Sequence, residues 1–354
     1  MWAMIVKEFL ELRRDRRTMA MIIVLPLVLL VVFGYAASFN VNDISTRVVG
    51  PRADQVAAEL RGPFDVEGVD PAADEAAARD MLRDGDADVV VVTGTGPSTA
   101  LVDGSQLFSA QTAVAAAAKS DGRLRPDVLY NPDLKTSWVM VPALIGMILT
   151  FIGTIITSIG LVRERQAGTL EQLAVMPFRP SDVIVGKIAP YFVLAAVDMV
   201  IVAVVGSLLF DVPFIGSPLI FVVGGALFLF TVLGIGVLIS TVSQNQGQAT
   251  QLALMTMLPQ ILLSGMIFPL ESMAAGVRWI GYLLPLTYFI QIANGTMLRA
   301  APISAQWIPL VVLAGMATLV FTAAVLRFRR DLAPRRRATP PSGPERTAPL
   351  AGAR

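Results

Sequence analysis

The run WVMVPALIGMILTFIGTIITSIGLV, residues 138–162, holds no charged side chain from end to end. A bilayer core of ~30 Å is crossed by ~20 apolar residues in a helix, so this run predicts a membrane span. Five further stretches meet the same criterion, at 19–39, 186–210, 218–242, 249–269 and 306–328. A seventh apolar stretch, 279–298, is interrupted by Pro285 and carries Gln291 and Asn294. It reads as a re-entrant or interfacial pair of short helices, since broken backbone is tolerated at membrane depth where protein shields it. Pro26 and Pro259 fall inside two of the spans and mark expected kinks.

Composition agrees with this reading. Among 354 residues the hydrophobic fraction is 55% with glycine left out, and charged residues make up 16%; average globular chains have ~45–50% apolar residues only when glycine is included, and ~25% charged. The mean hydropathy is +0.66. About two domains fit the length, and the composition describes a membrane bundle with one polar insert. Histidine and cysteine are both absent. That excludes Ser-His-Asp and Cys-His nucleophiles, histidine or thiolate metal sites, disulfides and CxxC redox pairs. No D-x-D-x-D-G calcium loop occurs either. No catalytic residue, metal or cofactor is expected on this chain.

Charge sets the orientation, because cytoplasmic loops are enriched in Lys and Arg. Residues 1–18 contain Lys7, Arg13, Arg14, Arg16 and Arg17; the loop 163–187 contains Arg163, Arg165, Arg179 and Lys187. The tail adds Arg327, Arg329, Arg330, Arg335, Arg336, Arg337, Arg346 and Arg354. These make up well over half of the 28 basic residues. An even number of spans puts both termini on that side, the cytoplasm. A cleaved signal peptide is disfavoured, since a long polar-amphipathic segment precedes the first apolar run. Residues 1–18 place Trp2, Ile5, Val6, Phe9 and Leu10 on one helical face. Such a helix lies in the headgroup plane or packs on another protein surface.

The polar insert, 40–137, has nine basic and sixteen acidic residues and falls on the outer face. Its pattern is α/β. Strands are expected at 47–50, 88–93 and 100–103, and helices at 53–61, at 71–84 beginning on Pro71, and at 106–120. The run Thr93-Gly94-Thr95-Gly96-Pro97 is a turn, without the lysine and following helix of a phosphate loop.

On the other side of the opening run lies RERQAGTLEQLAVMPFRPSDVIVGK, residues 163–187. Thr169 and Gln172 have capping-box spacing, Pro177 ends the short helix that follows, and Ser181 or Asp182 caps the third span. A short capped helix between two spans either docks on a cytoplasmic partner or is a plain connection. Arg163-Glu164-Arg165, Gly168-Thr169-Leu170-Glu171, Leu173, Pro177 and Gly186-Lys187 together resemble the signature loop of ATP-binding-cassette (ABC) type-2 permeases. Ser264-Gly265, Phe268-Pro269 and Leu284-Pro285-Leu286-Thr287-Tyr288 resemble that family's motif in the last third of the chain. Val102-Asp103-Gly104-Ser105 resembles its large-insert branch, although Gln106-Leu107 stands where an asparagine usually continues.

The resemblance covers residues 1 to about 330. It implies an α-helical integral membrane protein of type V exporter architecture, with six transmembrane helices. An amphipathic elbow helix would precede them, and an α/β extracytoplasmic domain would separate spans one and two. It further implies a dimer, homo- or heteromeric, in which each permease binds a cytoplasmic ABC ATPase that carries ATP and Mg. Glu164, Arg165, Gly168, Thr169, Leu170 and Glu171 would then be the ATPase-coupling positions. The chain has no G-x-x-x-x-G-K-[ST] loop of its own, since Ile188 follows Gly186-Lys187.

Two polar stripes cross the apolar helices. Thr150, Thr154 and Thr157 share one face of span two; Thr256, Gln260 and Ser264 share one face of span five. They either line a substrate path or bond helix to helix; in the resembled family these spans line the dimer cavity. Asp198 is a lone acid midway along span three, costly unless paired or hydrated. Ser207 and Thr231 are its candidate partners. Met255, Met257, Met266 and Phe268 make the path largely apolar, suited to drug-like or lipid-like cargo because methionine repacks easily. The expected function is therefore the permease subunit of an ATP-driven exporter in the cell membrane, with lipid as surroundings and no nucleic-acid partner. A receptor or scaffold with an outer sensing domain, and an ion-coupled carrier using Asp198, are the alternatives. The Pro/Arg/Ala tail from 333 is expected to be disordered and to touch anionic lipid through Arg335–Arg337.

Overall fold

The computed structural model describes residue 41, residues 43–167 and residues 180–332, with the backbone alone at 180–188 and 328–332. The elbow helix expected at 1–18, the span at 19–39, the positions Gly168, Thr169, Leu170 and Glu171, and the tail from 333 lie outside the described residues.

Residues 44–129 form a mixed sheet with helices on both faces. The order along the chain is β1 (Ile44–Val49), α1 (Ala53–Glu59), β2 (Phe64–Asp70), α2 (Glu75–Asp84), β3 (Val89–Val92), β4 (Ser98–Asp103), α3 (Leu107–Ala118) and β5 (Leu124–Leu129). In space the strands run β2-β1-β3-β4-β5. Only β3 and β4 pair antiparallel; the other neighbours are parallel. The tetravaline β3 is central and alternates strictly. Val89 and Val91 meet Ala53 of α1 and Ala110 and Ala113 of α3 on one face. Val90 meets Ala78 and Leu82 of α2 on the other. Both faces being covered, the strand is apolar at every position.

Two strands, β2 and β5, were not expected, and β1 begins at Ile44 rather than Arg47. The helix expected from Pro71 starts at Glu75. Asp74 caps it, its carboxylate accepting from Ala77 N at 2.9 Å. The Asp70 carboxylate accepts from Ala72 N and Ala73 N, which folds Pro71 into a turn. Gly85 closes α2 in the left-handed region, φ 82°.

The rest is helical: α4 (Thr136–Gln166, with a π turn at Ile152–Ile156), α5 (Pro180–Phe210), α6 (Pro218–Val242), α7 (Gln246–Leu263), α8 (Ala275–Gly281), α9 (Pro285–Met297) and α10 (Ile303–Leu332). Among the described residues α4, α5, α6 and α10 contain helices long and apolar enough to cross a bilayer. The segment expected as a span at 249–269 is helical only to Leu263, and Gly265 (φ 88°) then turns the chain. Its start is fixed by Asn245, whose side chain accepts from Gln248 N. The interrupted stretch at 279–298 forms the paired helices α8 and α9, with Pro285 at the first position of α9, where its missing N–H costs nothing.

The bundle core centres on α6 and α9, where Phe228 and Phe289 stack with ring centroids 4.7 Å apart. α4 crosses α6 at two glycines. A Cβ on Gly236 would run into the Gly153 carbonyl, and one on Gly153 into Val232, so small residues set the approach. α5 and α10 instead expose Val193, Leu194, Val200, Leu208, Val311 and Leu319. Contiguous apolar surface of this extent belongs against lipid or another membrane helix.

Candidate functional site: a polar junction under the sheet

Antiparallel pairing of β3 with β4 brings two carboxylates to one end of the sheet. Val89 faces Val102, and Asp103 N donates to the Asp88 carbonyl at 2.8 Å. The chain leaving α9 delivers Arg299 to the same place. Its guanidinium donates to Asp103 Oδ2 at 3.2 Å, with the arginine side chain 11% exposed and the aspartate 1%. The other oxygen of Asp103 accepts from Ser105 N at 2.9 Å. Gly85 gives the guanidinium room, since a Cβ there would lie 2.9 Å from it.

Asp88 forms no ion pair among the described residues, although it feels the charge of Arg299. Burial pushes its carboxyl up to about 7, and the negative charges of Glu271 and Asp103 push the same way; a hydrogen bond from Ser109 and the charge of Arg299 pull against them. Tyr130 is pushed up to about 12, chiefly by burial and then by Asp103.

Beside this cluster lies a cavity of about 80 Å³. Ser109 bounds it from the sheet domain, and Ser264, Glu271, Asn294 and Arg299 from the helical side. Ser264 is 2% exposed and Asn294 5%, yet Ser264 Oγ and Asn294 Oδ1 have no hydrogen-bond partner among the described residues. One helical turn before Ser264, the Gln260 amide is buried with neither end bonded. A buried polar atom left this way costs ~1–3 kcal/mol.

The two polar stripes read from sequence therefore separate. Thr150 and Thr154 are fully buried and donate to the carbonyls of Gly146 and Thr150, at 2.8 and 2.6 Å. Thr157 donates to Ile152 in the π turn at 3.4 Å. All three are satisfied within α4, at its contact with α6. On α7, Thr256 donates to Leu252 at 2.9 Å, whereas Gln260 and Ser264 are unsatisfied. Asp198 Oδ2 is buried without a hydrogen bond, and its candidate partner Thr231 donates instead to Leu227 at 2.8 Å. Of the coupling positions, Glu164 is half-buried, and Arg165 donates to the Ser243 carbonyl at 3.1 Å, tying the end of α4 to the turn between α6 and α7.

Sequence reasoning passed over Asp88, Glu271 and Arg299 as functional positions, and it noted Asp103 only within a resembled motif. The available signal was the scarcity of basic residues between 188 and 305, where Arg278 and Arg299 stand alone.

Residues 16–326 match the family model described as ABC-2 family transporter protein. The chain is similar to the probable multidrug ABC transporter permease YbhR of Escherichia coli strain K12, 28% identical over 363 residues, covering 94% of this chain and 99% of that protein. It is similar to the probable multidrug ABC transporter permease YbhS of the same strain, 27% identical over 358 residues and 91% and 93% of the two chains. The inner membrane transport permease YhhJ of that strain is 34% identical over 206 residues, 57% of this chain and 54% of that one.

Proposed function

The chain belongs to the ABC-2 family of transporter proteins, and from that premise we propose that it is the permease subunit of an exporter driven by a separate ATPase. The observation that carries this reading is the likeness to two permeases along nearly their whole length, joined to four apolar helices of spanning length. The permease places its apolar helices in the cell membrane with both termini in the cytoplasm, and its sheet domain faces outward. Two copies, or this chain and a related one, enclose the transport path. The segment from Glu164 to Glu171 couples the ATPase to the bundle. The Arg165 bond to Ser243 supports that role, because force applied beyond α4 reaches α6 and α7 directly. ATP and Mg bind the ATPase and not this chain.

The cargo is amphipathic or hydrophobic. The names of YbhR and YbhS, multidrug permeases, support that class, as do the methionine-rich turns of α7 and the loop after it. The test is co-expression with the ABC ATPase encoded nearest to it. A stable complex whose ATPase is stimulated by hydrophobic drugs is expected, and Glu171→Arg should remove the stimulation while the complex still forms. Full stimulation and transport by Glu171→Arg would refute the coupling role. Failure of any ATPase to co-purify after gentle extraction would favour a receptor or scaffold.

A further inference from the structure

We propose that the turn joining α6 to α7, together with Gln166 at the end of α4, is a second docking point for the ATPase, apart from the segment 164–171. The proposal rests on the permease reading, which supplies the partner.

The first observation is position. α4 runs 31 residues from Thr136, where it leaves the sheet domain, to Gln166. At 1.5 Å per residue that is about 46 Å, against ~30 Å of hydrocarbon. The uncharged run ends at Val162, so Arg163-Glu164-Arg165-Gln166 stand beyond the apolar layer, at the end of the bundle away from the sheet. The α6–α7 turn is tied to them. Arg165 donates to the Ser243 carbonyl at 3.1 Å, and Gln246 Nε2 donates to Gln166 Oε1 at 3.2 Å. The coupling segment starts from this same end of α4.

The second is charge. No Asp, Glu, Lys or Arg occurs from residue 212 to residue 270. The turn SQNQGQ, 243–248, therefore presents amides and no ion, with Gln244, Asn245 and Gln246 exposed. Turns that meet anionic headgroups are enriched in Lys and Arg; at this end of the bundle those groups stand elsewhere, at Arg163 and Arg327. Surfaces covered by a protein partner lose charged residues at their centre, because an amide is taken out of water at far less cost than an ion. A charge-free turn at the charged end of the bundle fits a protein partner.

The third is rigidity. Asn245 Oδ1 accepts from Gln248 N at 2.9 Å, and Gln248 Oε1 accepts from Gln244 N at 3.0 Å. This reciprocal pair fixes the turn much as a capping box does. It spends the side chains of Asn245 and Gln248 on the backbone and leaves the Gln244 side chain unbonded among the described residues. A surface ordered before binding loses less freedom on docking. Docking here would pass motion of the ATPase to α6 and α7 without routing it through the coupling segment.

The experiment uses the full chain co-expressed with the ABC ATPase encoded nearest to it. The chain has no cysteine, so Gln246→Cys creates a single thiol. Its modification by N-ethylmaleimide, read by intact mass of the permease, should be at least about tenfold slower in the complex than in the permease alone. Gly94→Cys, on an exposed turn of the sheet domain, should react at the same rate in both. If Gln246→Cys does not fold, Gln244→Cys carries the same test. Gln244→Glu, which puts an ion where an amide docks, should weaken the complex by at least about tenfold with an unchanged melting curve of the permease alone. A native chain that holds no ATPase removes the permease reading and this proposal with it. A complex that forms normally while the Gln246→Cys thiol reacts as fast as in the free permease overturns this proposal alone. So does a complex of undiminished affinity in Gln244→Glu, or equal protection of the free permease by phosphatidylglycerol over phosphatidylcholine nanodiscs, which would assign the turn to lipid.

Discussion

Replacing Arg299 by methionine isolates the contact that fastens the sheet domain to the helices. The substitution keeps the length of the side chain and removes the guanidinium. Asp103, 1% exposed, would then be a buried carboxylate without its cation. Breaking a buried pair by removing one partner costs ~3–5 kcal/mol. Asp103 retains its bond from Ser105 N, and Arg299 is slightly exposed at 11%, so the lower end of that range applies, about 3 kcal/mol. The cost falls where the contact is, on the opening of the β3–β4 end of the sheet. Amide hydrogen exchange in the intact chain reads such local opening. With about 1.4 kcal/mol per tenfold, amides of Val102 and Asp103 should exchange on the order of a hundredfold faster in Arg299→Met. Those of α6, remote from the junction, should be unchanged. Adding Asp103→Asn should restore much of the protection, because the double variant leaves no charge stranded. Exchange within about threefold of the native rate in Arg299→Met, or a double variant no better than the single, would refute the reasoning.

Other consequences are as specific. Gly236→Ala puts a methyl group into the Gly153 carbonyl; overpacking of this kind costs ~1–3 kcal/mol, to be seen as faster thermal inactivation in micelles, and native stability would show that α4 and α6 are not held at this distance. Asp88 has a folded-state pKa raised to about 7 against ~3.9 in the unfolded chain, so the folded state holds the proton more tightly. Stability from this group is full below about pH 4 and is lost as pH rises towards 7. Asp88→Asn should flatten that part of the pH–stability curve and raise stability at pH 8, measured by urea unfolding followed by tryptophan fluorescence. Asp198→Asn should leave ATP-driven transport within about twofold of native, since an unbonded carboxyl at that depth is isosteric with the amide; loss of transport together with insensitivity to ATP depletion would favour an ion-coupled carrier.

The parts of the fold legible in the sequence are those where burial is complete. Residues 138–162 announce a span, and VVVV at 89–92 announces a strand covered on both faces, because neither has a polar position to confuse the pattern. The strands that escaped are the two at the edges of the sheet. β2, FDVEGVD, carries three acidic residues, and β5, LRPDVL, contains Pro126 among charges. Charge and proline on an edge are what keeps it from pairing with another chain, and they also erase the strand signal. The end of α7 was misread for a related reason. Hydropathy continues to Pro269, but Gly265 at φ 88° breaks the helix, and hydropathy does not register backbone conformation. The junction was the least legible part, since Asp103 and Arg299 are 196 positions apart and only the return of α9 to the base of the sheet unites them.

Spacing alone treats the stripes of α4 and α7 as equals: each puts three polar side chains on one helical face. Hydrogen bonding distinguishes them. A threonine on a buried helix donates to the carbonyl four residues back, so Thr150 and Thr154 need nothing from outside. A glutamine amide has no such local solution, and Ser264 lies at the helix end, where its hydroxyl bonds no carbonyl. In a bundle this apolar, an unsatisfied amide next to an unsatisfied hydroxyl is a standing cost, and Asn294 adds a third such group beside the same cavity. Polar residues that merely glue helices end up paired with one another or with backbone. These three have no hydrogen-bond partner for the atoms named among the described residues, at the end of the bundle beside the Asp103–Arg299 pair. Unsatisfied polarity is therefore concentrated along α7 and α9, while the threonines of α4 are satisfied within their own helix at its contact with α6.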